Sequence, residues 1–372
     1  MIDGRVLITG GAGFIGSHVA EALLERGYRV RALDSLIPQV HPASARPAYL
    51  PRDVELVVGD VRDPHAVRRA LIDVDRVIHL AARVGVGQSM YEIGEYVSVN
   101  SLGTATLLQA LLDQPVEQIV VASSMSVYGE GMYVDAEARP MRARERTREQ
   151  LTAQEWEPRG PDGEQLTPVP TPESKPPSLA SIYALNKFEQ ERSTLLFGRA
   201  YGIPTLALRL FNVYGPHQAL SNPYTGVLAI FASRLLNDKP PMIFEDGEQR
   251  RDFVCVRDVA TACALALEHV EIGSEVINVG SGSSVTVSEI ACRLARILGK
   301  EQIEPELTGE CRLGDIRHCF ADVEKARRML SFEPTVCLDD GMRELAQWLE
   351  GQVADDRVDQ ARAELRSRGL TV

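Results

Sequence analysis

The run Gly10-Gly-Ala-Gly13-Phe-Ile-Gly16 limits what this chain can fold into more than any other. It follows Arg5 to Thr9, a short apolar stretch that reads as a buried strand. A helical pattern comes next, from Ser17 to Arg26, and Gly27 stands where a glycine often ends a helix. Tyr28 to Leu33 reads as a second strand, closed by Asp34, 18 residues after Gly16. Strand, glycine turn, helix and acidic strand end together make a βαβ unit. Its glycines let the backbone approach a pyrophosphate at a helix N-terminus. The spacing is Gly-x-x-Gly-x-x-Gly rather than Gly-x-Gly-x-x-Gly. A carboxylate at Asp34 accepts bonds from ribose hydroxyls and repels a 2′-phosphate. The expected cofactor is therefore NAD rather than NADP, and the single Arg31 does not overturn that preference.

Further strand ends follow. Val54 to Val58 leads into Gly59-Asp60-Val61, where Asp60 can reach an adenine ring; Asp63, before Pro64, reads better as a helix cap. Arg76 to Leu80 runs into Ala81-Ala82, small residues that admit either close ligand approach or tight packing. Expected cofactor contacts are Gly10, Gly13, Phe14, Ile15, Gly16, Asp34, Asp60, Val61, Leu80, Ala81 and Ala82. Strands alternating with helical patterns through Val121 imply a Rossmann-type doubly wound parallel sheet, an α/β fold. Residues 1–190 are expected to form this lobe, with 251–270 returning to it and 191–372 forming mainly a smaller mixed α/β substrate lobe.

A length of 372 residues suits two lobes, and 44% hydrophobic with 25% charged residues is ordinary for a globular chain. The net charge of −12 argues against a nucleic-acid or membrane-surface role. The 6 cysteines form no Cys-x-x-Cys, and no histidines stand at zinc spacing, so no metal is expected. No apolar run reaches 18 residues and a strand begins almost at once. The expected location is the cytoplasm.

The chemistry concentrates in two places. Gln118 to Ala122 reads as a strand ending in Ser123-Ser124-Met125-Ser126-Val127-Tyr128. Reactive groups in open α/β sheets gather beyond such carboxyl ends. In Ser181-Ile-Tyr-Ala-Leu-Asn-Lys187, Tyr183 and Lys187 are four apart and share one helix face. A nearby ammonium favours the phenolate. A free tyrosine titrates near ~10, so a base at neutral pH needs about 3 units, or ~4 kcal/mol, of preferential stabilisation. Tyr-x-x-x-Lys alone is weak, but with the serine, glycine turn and Asp34 it points to removal of a hydroxyl proton.

This constellation resembles the extended short-chain dehydrogenases/reductases of the nucleotide-sugar epimerase/dehydratase group, from Arg5 to about Trp348. The resemblance implies a catalytic triad of Ser124, Tyr183 and Lys187, with Asn100 near the active site and cofactor. It implies that the segment from Asn212 to Pro216 borders nicotinamide and sugar, that Ser126 contacts substrate, and that Arg251 and Arg312 hold a sugar nucleotide's diphosphate. Arginine suits that task because its planar fork meets phosphate oxygens in pairs. The family's 4,6-dehydratases carry an Asp-Glu pair where this chain has Met125 and Ser126, so carboxylate-driven dehydration is not expected. NAD-dependent 4-epimerisation is the expected activity, with a C4 dehydrogenase or reductase as alternative and a non-catalytic nucleotide sensor as a further one. The partner is a nucleotide-diphosphate sugar, and the family implies a homodimer. The run Gln218 to Gly226 and a long insertion resemble bacterial enzymes of the dTDP-L-rhamnose 4-epimerase kind; UDP-hexose 4-epimerases are the rival. Asn222 and Tyr224 either line the substrate pocket or build a turn.

Residues 131–180 form the insertion, with a polar helix expected over 142–154 and seven prolines between Pro158 and Pro177. It joins two active-site segments, so it either folds over the sugar pocket or runs off across the surface. The charged helical pattern over 355–368 is expected to be solvated or to pack on a partner.

Overall fold

The computed structural model describes residues 4–41, 43–224, 226–352 and 355–372. Seven strands form its central sheet: β1 (Arg5–Thr9), β2 (Arg29–Asp34), β3 (Glu55–Val58), β4 (Arg76–His79), β5 (Gln118–Ser124), β6 (Thr205–Leu210) and β7 (Ser274–Val279). Their order is β7-β6-β5-β4-β1-β2-β3, all parallel. The order reverses at β1, and a crevice at such a point holds the ligand in doubly wound folds.

The helices are α1 (Phe14–Glu25), α2 (Pro64–Ala70), α3 (Gly103–Asp113), α4 (Ile182–Tyr201), α5 (Val227–Leu236), α6 (Val256–Glu268), α7 (Val287–Ile297), α8 (Leu338–Leu349) and α9 (Val358–Ser367). Side chains alternate across a strand, so β1 feeds two cores. Val6 and Ile8 join Val19 and Leu23 of α1 and Val259 and Cys263 of α6. Leu7 faces the other way, with Val67 of α2 and Leu107 and Leu111 of α3. Both sheet faces are covered, which is why the strands are apolar throughout.

β6 and β7 lie beyond residue 190 and outside 251–270, yet they complete the central sheet, and α6, within 251–270, covers one of its faces. The second lobe packs Leu228, Phe231 and Leu235 of α5 against Ile290 and Leu294 of α7 and Met342 and Leu345 of α8.

The insertion is short strands and loops. Met132–Val134 pairs antiparallel with Pro140–Met141 and Thr167–Val169. The helix expected over 142–154 shortens to Arg148–Thr152, started by Thr147 Oγ1, which accepts from Gln150 N. The segment is tied to the second lobe by ion pairs, one of them buried. Arg146 meets Glu245 at 2.7 Å, and Arg317 meets both Glu157 at 2.6 Å and Glu245 at 2.9 Å.

The charged pattern over 355–368 folds back onto its own chain along one side. Arg234 pairs with Asp356 at 3.3 Å and Asp359 at 2.8 Å, and Ala361 and Leu365 are buried. Among the described residues no helix is long and apolar enough to cross a membrane, and no group of three or more His, Cys, Asp or Glu is placed to hold a metal ion.

α4 is held to the sheet by one buried ion pair. Glu191 takes both Nε and Nη2 of Arg209 on β6, at 2.9 and 2.7 Å, and also accepts from Ser123 Oγ at 2.7 Å. Removing one partner strands the other charge. Glu191→Ala is expected to lower unfolding free energy by about 3–5 kcal/mol, read from urea denaturation midpoints.

Candidate active site

The glycine turn is built by contacts that leave no room for side chains. A Cβ on Gly16 would lie 2.3 Å from Gly10 O, and one on Gly10 would lie 3.0 Å from Ala81 N. β1 and β4 thus end with backbone against backbone. Ala81 N donates to Thr9 Oγ1 at 3.2 Å. At Gly13, which starts α1, a Cβ would meet only Gly10 O, at 3.3 Å, so this side of the turn is open. No side chain caps α1 and its first turn holds no acid. Its free N–H groups and positive end suit an anion.

Asp34 locks this turn to β2. Its Oδ2 accepts from Ala12 N at 3.0 Å and its Oδ1 from Leu36 N at 2.9 Å. The remaining lone pairs suit ribose hydroxyls. Arg31 offers no phosphate site: it donates to the carbonyls of Ala70 and Ile72 and pairs with Glu55 at 2.9 Å. Asp60 is held by Arg62, whose guanidinium spans both carboxylate oxygens. Val61 is buried against Gly103, while Phe14, Ile15, Leu80 and Ala82 stay partly exposed around the turn. The residues present fit a dinucleotide with unphosphorylated ribose.

Asn100 sits in a π-helical turn, Val97–Leu102, fully buried. Its amide is consumed by one backbone residue: Oδ1 accepts from Arg83 N at 2.7 Å and Nδ2 donates to Arg83 O at 3.1 Å. It fixes the loop after β4, directly beyond Ala82.

Ser124 closes β5 and caps the turn Met125–Tyr128. Its Oγ accepts from Ser126 N at 3.2 Å and from Ser126 Oγ at 2.9 Å. The Ser124 hydroxyl proton is then free to point at Tyr183, whose phenol lies near enough for Ser124 to favour its phenolate. Tyr183 and Lys187 ride on α4, which begins at Ser181, whose Oγ accepts from Ala184 N. Tyr183 N donates to Ser89 Oγ at 3.1 Å, anchoring the start of the helix to the loop beyond β4. Burial pushes the Tyr183 phenol up, and the bond from Ser124 opposes it. Burial drives the Lys187 ammonium down to about 7, opposed by Glu191.

Lys187 is held by a polar chain that sequence reading missed. Its Nζ donates to Gln190 Oε1 at 2.8 Å. Gln190 Nε2 reaches Thr104 Oγ1 at 2.9 Å and His79 Nε2 at 3.2 Å, and His79 Nδ1 bonds Thr9 Oγ1 at 2.7 Å. Gln190 was findable, since i+3 shares the face of Lys187. Ser89 and His79 had no local signal, because the fold alone brings them in.

The substrate candidates converge unevenly. Arg251 and Arg312 meet around Asp315, at 3.8 and 2.8 Å. Arg251 also donates to the carbonyls of Ile316 and Arg317, and Arg312 lies over the Phe244 ring. Asn212 is partly exposed, its N–H given to Asp252 O. Pro216 is brought to the glycine turn by His18, whose Nε2 bonds Pro216 O at 3.2 Å. Asn222 builds a turn: its Oδ1 accepts from Tyr224 N and Gln39 Nε2, both at 3.1 Å. Tyr224 packs on the loop after β4, where a Cβ on Gly85 would fall 2.8 Å from its own. Burial pushes the Tyr96 phenol up, opposed by the Arg83 guanidinium.

The arrangement matches a known family. Residues 6–280 fit the model of the NAD dependent epimerase/dehydratase family. The chain belongs to that family. A similar protein is the dTDP-L-rhamnose 4-epimerase of Burkholderia thailandensis, 37% identical over 94% of this chain and 96% of the relative. Among solved structures, UDP-glucose 4-epimerase from Thermotoga maritima with UDP-glucose superposes at a TM-score of 0.76, with 31% identity over 93% of this chain and 99% of that one. The Thermus thermophilus UDP-glucose 4-epimerase complex with NAD gives 0.73, with 32% identity over 94% of this chain and all (100%) of that one.

Two outcomes are expected. Gly16→Ala should weaken NAD binding at least about tenfold by titration, because its Cβ displaces the turn. Lys187→Met should stabilise the cofactor-free protein below pH 7, where both folded and unfolded wild type carry the lysine charge. That gain should shrink as pH rises from about 7 toward the ordinary 10.5, because folded wild type sheds the proton first. Urea midpoints across that range read the slope.

Proposed function

We propose that this chain is an NAD-dependent nucleotide-sugar 4-epimerase. The observation that carries the reading is the placement of Ser124 beside the Tyr183 phenol at the end of β5, with Lys187 one turn along and no carboxylate at 125 or 126. The glycine turn, the N-terminus of α1 and Asp34 would hold the dinucleotide, with Tyr183 and Lys187 toward its reactive end. NAD there supplies a hydride acceptor that returns the hydride once reduced, and a cationic ring whose charge favours a phenolate.

Tyr183 takes the proton of the sugar's C4 hydroxyl as C4 becomes a ketone. Ser124 donates to the developing phenolate and to the substrate oxygen in turn, itself steadied by Ser126. Lys187, charged, lowers the phenol's pKa against the burial that raises it. Arg251 and Arg312 hold the diphosphate while the 4-keto sugar turns its other face. Tyr183 then returns the proton as C4 is reduced. Oxidation and reduction cancel, so no net cofactor is consumed.

The substrate we favour is a dTDP-6-deoxyhexose, supported by the similarity to the Burkholderia enzyme over nearly the whole chain. A UDP-hexose is the second reading, supported by the superposition on two UDP-glucose 4-epimerases. The reading includes a homodimer. On α4, Leu185 and Leu196 are 46% and 57% exposed and lie roughly 20° apart around the helix, with Leu102 and Leu112 flanking α3 at 54% and 42%. Free cysteines, Cys292 and Cys337 exposed, support a reducing compartment such as the cytoplasm.

Purified protein offered dTDP-L-rhamnose, UDP-glucose and UDP-galactose should invert C4 in at least one, read by proton NMR, without net absorbance change at 340 nm. Inversion of none by NAD-loaded protein sinks the reading; accumulating NADH would favour a dehydrogenase. Tyr183→Phe should lose about 10²–10⁴-fold in kcat while keeping NAD, and a near-normal rate would remove Tyr183 from the base role.

A further inference from the structure

The chain's last described stretch, residues 355–372, touches two of the candidate substrate-binding residues, Arg312 and Tyr224. Beyond α9 the chain runs antiparallel to the segment that bears Arg312. Cys311 N donates to Val372 O at 3.0 Å, Val372 N to Cys311 O at 2.8 Å, and Leu313 N to Leu370 O at 3.0 Å. Arg312 therefore pairs with Thr371 in an isolated antiparallel bridge. α9 itself is pinned to the same segment by Arg362 and Arg366 on Glu310.

The other side of α9 faces the first lobe. Leu365 lies against Gly87, where a Cβ would come within 3.3 Å of its methyl. Glu364 Oε2 accepts from Tyr91 Oη at 3.2 Å and from Tyr224 Oη at 3.4 Å, while Tyr91 and Tyr224 also bond one another. Arg368 closes the cluster, donating to Glu364 at 3.0 Å and lying over the Tyr91 ring. Tyr91 belongs to the loop beyond β4, and Tyr224 to the second lobe. One carboxylate on α9 thus joins the two lobes beside the loop that Asn100 and Ser89 fix to the catalytic helix.

From this we infer that residues 358–372 are a strap that positions two substrate-binding elements, Arg312 for the diphosphate and Tyr224 for the sugar. Glu364 is a positioning residue, acting through the two phenols. The inference rests on the nucleotide-sugar reading of the site. It makes the strap a determinant of substrate affinity and of sugar choice, separate from cofactor binding and from the base. The two ends should be separable, because they serve different parts of the ligand.

The test uses the NAD-loaded protein with dTDP, UDP, dTDP-L-rhamnose and UDP-glucose as probes, read by calorimetry. Deleting residues 369–372 should weaken nucleoside diphosphates and nucleotide sugars alike, by about tenfold or more, as expected for loosened charge-assisted bonds. Glu364→Ala should weaken the nucleotide sugars by about three- to tenfold and leave dTDP and UDP within about twofold. In turnover, the rise in KM should exceed the fall in kcat for both variants. Glu364→Gln, which keeps an acceptor oxygen, should recover most of the lost affinity. Parental affinity for every probe in both variants overturns the strap. Equal loss of dTDP and dTDP-L-rhamnose in Glu364→Ala overturns the division of roles. If the deletion fails to fold, Glu364→Ala and its glutamine counterpart decide alone. A parent protein that neither binds nor inverts any nucleotide sugar removes the epimerase reading and the strap with it; an active parent with strap-insensitive KM removes the strap only.

Discussion

A lysine only 3% exposed is the constraint around which this molecule is arranged. Burying an ammonium is costly unless its surroundings compensate. Here they comprise Gln190 at hydrogen-bond distance and the Glu191 carboxylate, itself tied to Arg209. These groups also set the catalytic helix: Glu191 and Arg209 fasten α4 to β6, and Gln190 links it to Thr104 and His79. The register that shelters Lys187 places Tyr183 one turn earlier, against Ser124. Position of the base and shelter of the cation are one packing solution.

The same logic explains why so much of the site was readable without coordinates. Gly10, Gly13, Gly16 and Asp34 act through local geometry, within one βαβ unit, and their spacing survives in the chain. Tyr183 and Lys187 are readable because a helix converts a spacing of four into a shared face. Ser124 is readable because strand ends collect reactive groups. What could not be read depends on distant chain meeting distant chain. That Asn222 spends its amide oxygen on Gln39 and that Arg31 turns to Glu55 are facts of packing, invisible in composition or spacing. The tail looked like a solvated helix because its polar face dominates. Only the positions of Gly87 and Glu310 show what its few apolar and basic residues are for.

The insertion is a further case. Its prolines and charges describe an irregular segment, and it is one. Yet Arg146, only 4% exposed in its side chain, gives one nitrogen to Glu245 and another to Asp315 O, so the segment bearing Arg312 is braced from the insertion as well. Buried ion pairs of this kind add little net stability but penalise every arrangement that breaks them. They suit a segment whose task is to stay in one place rather than to open and close.

The first lobe is not a contiguous piece of chain. β6, at residues 205–210, follows α4 directly, but β7 joins from residues 274–279 only after the chain has passed into the second lobe and back. Contacts of such long sequence separation are slow to form, since loop closure must come before any gain from pairing. During synthesis, the glycine turn and catalytic helix wait as an incomplete sheet with β5 unpaired on one edge until β6 arrives, and β6 then waits for β7. An unpaired apolar edge of that kind invites association with other chains. The two lobes therefore cannot be inherited, expressed or unfolded as separate modules, and a cofactor-binding fragment cut at the catalytic helix would be an aggregation-prone species rather than a smaller working protein.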